Sequence, residues 1–100
     1  MEELSRCTGF QWDEGNTEKN WEKHRGSRFE CEQLFFNEPF LVFKDEEHSQ
    51  DESRYYALGQ TNRNRELFIV FTIRDDQIRV ISARDMSRRE RRYYENVKKE

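Results

Sequence analysis

Proline and glycine are almost missing from this sequence: one proline and four glycines stand among its one hundred residues. So little glycine leaves no phosphate-cradling loop and no nucleophile elbow. There is also no linker, low-complexity stretch or internal repeat to divide the chain. Cysteine is scarce too. Cys7 and Cys31 are too few and too far apart for a disulfide framework or a zinc ribbon. The two histidines, His24 and His48, are widely separated, and "DEEH" reads as a solvated acidic loop rather than a ligand set. No metal site and no cofactor are expected. No stretch approaches the ~20 apolar residues of a membrane span, and no apolar run near Met1 resembles a signal peptide. The expected location is therefore cytoplasmic, in a reducing environment and with no membrane partner.

Hydrophobic residues are sparse as well, at 33% of the chain. The aromatic share argues against disorder. Eight Phe, four Tyr and two Trp, each burying roughly 150–250 Å², let few residues build a core. One hundred residues make one small domain. Residues 10–97 are read as that domain, between tails at 1–9 and 98–100.

The formal net charge of −3 hides an asymmetry. Residues 1–53 hold six Lys or Arg against fourteen Asp or Glu, and residues 54–100 hold twelve against seven. Thirteen of the eighteen basic residues are arginine, whose planar fork grips phosphate bidentately and stacks on bases. Two partners of opposite charge, or an ordinary surface of mixed ion pairs, would each fit this pattern.

Element by element, "GFQW" is a short extended entry. Asp13 can cap a helix over about 14–24, with Thr17, Trp21 and His24 on one face. Ser27 can cap a second helix to about Phe36, with Glu30 completing a capping box and Cys31, Leu34 and Phe35 turned inward. Asn37 and Pro39 end it. Strands are expected at 40–43, 54–60, 66–73 and 78–84, joined by short turns such as "RDDQ" into an antiparallel meander. Ser87 and Glu90 have capping-box spacing and start a last helix to about Val97. The reading is an α+β domain: two N-terminal helices, a four-stranded antiparallel sheet with the helices on one face, and a C-terminal helix.

What converges in this plan is arginine. Arg74 and Arg79 flank one turn, Arg84 closes the last strand and Arg54 opens the second. Arg88, Arg91 and Arg92 share one side of the final helix, with Tyr94 and Val97 facing inward and Tyr93 available to stack on a base. Such an array suits RNA cleavage. RNA carries its own nucleophile, the 2′-OH, so the reaction needs a base, an acid and cations around the phosphorus. His24 is the near-neutral candidate for the acid–base role; packing at a helix end is its other reading. For Arg54 and Arg74, pairing with Glu66 or Asp75 is a rival. Arg79, inside an apolar strand, needs a specific partner or a ligand.

The stretches "FQWDEGNTEKNWEKHR", "DEEHSQDESRYYALGQT" and "LFIVFTIRDDQIRVISARDMSRRERRYYE" resemble the BrnT toxins of type II toxin–antitoxin systems. The block R-x-x-x-x-R-x-[IV]-S-A-R followed by S-R-x-E-R-x-x-Y carries the resemblance, which runs from Phe10 to Glu95. It implies a RelE-like fold and a bacterial endoribonuclease that blocks translation. It also implies a ribbon-helix-helix antitoxin of the BrnA type, which would make the DNA contacts of the autorepressing complex. Matched motif by motif, the resemblance places Lys23 and His24, Arg54, Arg74, Arg79 and Arg84 in the site, with Arg88 and Arg91 at its lip. Arg79, Arg74, His24 and Arg84 are the expected catalytic residues. Arg54, Lys23, Arg88, Arg91 and Tyr93 are the expected RNA contacts. The chain departs from the family at "RGSRF", where Gly26 stands and an aliphatic residue is usual, so the orientation of His24 stays open. Ser53 replaces a frequent glutamate. A non-catalytic module binding RNA or only its antitoxin is the alternative on the same fold.

Overall fold

The computed structural model describes residues 2–12, 28–48 and 52–100. Its sheet is set by the two-residue side-chain period of β4 (Glu66–Arg74), in which Leu67, Ile69 and Phe71 are fully buried on one face. β3 (Arg54–Gln60) and β5 (Gln77–Asp85) pair antiparallel on either side of it, and β2 (Leu41–Lys44) pairs antiparallel with β3. The β4–β5 hairpin closes through Asp75 and Asp76, both at positive φ (53° and 58°). That pair of left-handed residues is what a two-residue turn requires to match strand twist, and Asp tolerates it.

The sheet has a fifth strand. β1 (Gly9–Phe10) runs parallel to β5 at the edge, with Gly9 opposite Gln77 and Phe10 opposite Ile78, giving the order β1-β5-β4-β3-β2. Backbone bonds from Thr8 N to Asp76 O and from Gln11 N to Ile78 O, both 2.8 Å, extend this seam. Ahead of it, α1 (Glu2–Ser5) is a single turn, and its Leu4 packs against the main core.

α2 (Arg28–Leu34) lays Cys31 and Leu34 onto the face carrying Ala57, Leu67, Ile69 and Phe71. It packs so closely that a β-carbon on Gly59 would lie 2.8 Å from Leu34 Cγ. Burial pushes the Cys31 thiol up to about 12, so this cysteine is a small core residue and not a reactive one. Arg65 ties α2 to the sheet by contacting Glu30 at 3.1 Å and Asp85 at 2.9 Å. α3 (Arg88–Lys98) begins with the expected capping box: Ser87 Oγ accepts from Glu90 N, and Glu90 Oε1 accepts from Ser87 N. Its Tyr94 is fully buried among Leu58, Met86, Leu41 and Phe68, and its hydroxyl donates to Pro39 O at 2.5 Å.

Leu58 and Gly59 are sequence neighbours on a strand and face opposite ways. The helices that meet them, α3 and α2, therefore lie on opposite faces of the sheet. The expected four-stranded antiparallel sheet with helices on one face is corrected: the sheet is five-stranded and mixed, and the described helices sandwich it. Two residues, Gly9 and Phe10, are too short a run to show a strand period, which is why the parallel edge was not foreseen. The expected helix at 14–24 lies outside the described residues. So the RelE-like plan of two N-terminal helices on four antiparallel strands is not what the described residues form. No described helix is long and apolar enough to cross a membrane.

Candidate RNA-binding face

Strand parity decides which arginines meet. Arg54 pairs across to Thr72, and Thr72 pairs across to Arg79. Neighbouring strands are about 4.8 Å apart, so the two arginine backbones straddle Thr72 at a separation of about 10 Å. All three point to the face opposite α2. Thr72 is buried, and its hydroxyl has no hydrogen-bond partner among the described residues; an unsatisfied buried group of this kind costs about 1–3 kcal/mol. The next row on the same face is Phe43, Tyr56, Val70 and Ser82. Beyond it come Leu41, Leu58, Phe68 and Arg84, which α3 covers.

Arg79 and Arg84 are five residues apart, an odd spacing that would put them on opposite faces of an unbroken strand. A bulge resolves this. The register shifts at Val70/Phe71, so that Phe71 pairs with Val80 while Val70 pairs with Ser82, leaving Ile81 as the extra residue. Both arginines then share the open face.

Arg84 makes a bidentate pair with Glu90, at 2.8 and 2.9 Å, and its guanidinium lies 4.1 Å from the Phe68 ring centroid. The Arg84 hydrogen bond, helped by the capping contact to Ser87, holds the Glu90 carboxyl below the usual carboxylate range. Arg74 is on the same face, one step past Thr72, and bonds Glu52 at 3.0 Å. Pairing with Glu66 or Asp75 is the rival reading of Arg74 from sequence, and its partner is neither of them. Glu66 instead takes Arg91 at 3.2 Å and Lys98 at 3.7 Å. Burial pushes the Glu66 carboxyl up, with the adjacent Glu95 adding to it. Arg91 is thereby a clamp between α3 and the sheet. Arg88 and Arg92 are exposed on α3, as is Tyr93. Lys23 and His24 lie outside the described residues.

Sequence reasoning missed two neighbours of the arginine row. Phe43 and Tyr56 stack at 5.2 Å between centroids, Tyr56 stacks on Phe68 at 5.8 Å, and Tyr93 leans over Phe43 at 6.4 Å. The alternation in "RYYALG" was the available signal, since it puts Tyr56 on the same face as Arg54. The opposite face holds a cavity of about 330 Å³ lined by Leu4, Cys7, Phe10, Phe35, Phe36 and Ile78 among others. No arginine is among the residues that line it.

Residues 12–90 match a family model described as "Ribonuclease toxin, BrnT, of type II toxin-antitoxin system". No curated protein matches the chain. Among solved structures, the fold is similar to that of the Brucella abortus ribonuclease toxin BrnT, with a TM-score of 0.62 and 22% sequence identity, over 82% of this chain and 100% of that one.

Proposed function

The chain belongs to the BrnT family of ribonuclease toxins of type II toxin–antitoxin systems, and from that premise we propose that it cleaves RNA at the Arg54–Thr72–Arg79 row. The observation that carries this reading is the in-register placement of two arginines around one buried threonine on the sheet face opposite α2.

A phosphodiester between the two guanidiniums would have its developing negative charge met from both sides. The neighbouring 2′-OH attacks phosphorus, the bond to the departing 5′ oxygen breaks, and a 2′,3′-cyclic phosphate remains. That attack needs no metal-bound water, because the nucleophile is already part of the substrate. Arg79 is the primary phosphate stabiliser in this scheme, with Arg54 opposite. Arg74 stands at the turn beside them, drawn from Glu52 when a phosphate competes. Arg84, fixed by Glu90, borders the site, and Arg88, Arg91, Lys23 and Tyr93 extend RNA contact beyond it. Proton transfer is assigned to His24. A BrnA-type antitoxin would neutralise the toxin and carry the complex's DNA contacts.

One observation favours a second reading. The described residues of the row supply cations and hydroxyls, which bind RNA, but no group that titrates near neutrality. A binding module without turnover would look the same.

The test is cleavage of RNA by the purified chain in EDTA, beside Arg79→Ala prepared identically. The expected loss in the variant is about 10²–10³ in rate, with cyclic-phosphate ends on the wild-type products. Equal cleavage by both would remove the row from the site. RNA binding without cleavage by either would favour the module.

A further inference from the structure

We propose that Phe43 and Tyr56, walled by Tyr93, form a stacking subsite for an unpaired nucleobase of the RNA whose phosphate lies at the Arg54–Arg79 row; the proposal rests on the RNA reading above. Tyr56 is two residues along β3 from Arg54, which separates the two rows by about 6.6 Å on the same face. That is comparable to the reach from a nucleotide's phosphate to its base. Charge and aromatic surface are thus spaced for consecutive parts of one nucleotide.

The tyrosines themselves argue against simple core packing. Tyr94, one residue on from Tyr93, is a structural tyrosine: it is fully buried, and its hydroxyl is bonded to Pro39 O. Tyr56 and Tyr93 are 36% and 51% exposed, and neither hydroxyl bonds to another described residue. The three rings on the open face are already held in place. Phe43 and Tyr56 are near-parallel, 22° apart, and Tyr56 is backed by Phe68, itself covered by Arg84. A base would join this ladder at the exposed parts of Tyr56 and Tyr93, on a surface that is already ordered, so little ordering cost opposes its binding.

The substrate class follows. A base inside a duplex already has both faces stacked and cannot reach the platform. The site selects single-stranded RNA or a splayed-out base in a loop.

The experiment uses two probes that cannot be cleaved through a 2′-OH. One is a short 2′-O-methyl oligoribonucleotide of mixed sequence, and the other is the same backbone without bases. Binding is measured for wild type, Tyr56→Leu, Tyr56→Phe and Arg79→Ala. Tyr56→Leu is expected to weaken the base-bearing probe by about 10- to 100-fold and to leave the abasic probe unchanged. Tyr56→Phe should retain wild-type binding, while Arg79→Ala should weaken both probes. Equal weakening of both probes by Tyr56→Leu, or of neither, would overturn the platform while the arginine row stood. Failure of wild type to bind either probe would overturn the RNA reading together with it.

Discussion

The two faces of one strand show how differently the same residue types are used. Along β4, Leu67, Ile69 and Phe71 are fully buried beneath α2, while Phe68 and Val70, on the alternate positions, keep part of their surface in solvent. The α2 side joins Cys31, Leu34, Tyr55, Ala57, Phe71 and Val80 into one continuous core. The other side is divided. α3 buries one end around Tyr94 and Leu58, and the remaining end shows arginines and aromatics. One face holds the fold, which leaves the other able to carry groups that folding alone would not favour.

That contrast can be broken most sharply in the core. Phe71→Ala is expected to cost about 3–5 kcal/mol in urea unfolding, whereas Phe43→Ala, on the open face, should cost less than half as much. Similar losses for the two would show that the faces do not differ as described. A smaller effect is expected at Gly59. An added β-carbon meets the buried Leu34 side chain at 2.8 Å, so Gly59→Ala should destabilise by about 1–3 kcal/mol, read from the urea midpoint. A neutral result there would mean that α2 shifts easily on its sheet.

The smallest effect concerns the divide between the two ends of the open face. Glu90→Gln preserves the capping box, which glutamine also satisfies, and removes the charge facing Arg84. The pair is partly exposed, so the loss at neutral pH should be only about 0.2–1 kcal/mol. Because folding lowers the Glu90 pKa, its contribution is present above the unfolded carboxylate value. It is lost as pH falls through the lower folded value. Thermal melts of wild type and variant should therefore differ at neutral pH and converge in acid. A gap that widened in acid would contradict the assigned ion pair.

Much of this arrangement was legible in the sequence, and the parts that were not share a cause. β3, β4, β5 and the capped α3 follow local signals: alternation, a two-residue aspartate turn, and Ser87 with Glu90. The nearness of Arg74 and Arg79 follows from that hairpin alone. What escaped depends on register between distant segments. The Phe43–Tyr56 stack needs the β2–β3 pairing, and the common face of Arg79 and Arg84 needs the bulge at Ile81. The partners of Arg74 and Arg91, Glu52 and Glu66, lie 22 and 25 residues away in sequence. The side taken by each helix turns on the parity of Leu58 against Gly59, which composition does not reveal.

The parallel seam between β1 and β5 has a bearing on how the molecule is made. β3, β4 and β5 are contiguous in the chain and can zip together as each hairpin leaves the ribosome. Gly9 and Phe10, although synthesised early, have no partner until Gln77 and Ile78 emerge. The arginine row is therefore complete within the meander, whereas β1 joins the sheet only through a pairing between distant parts of the chain.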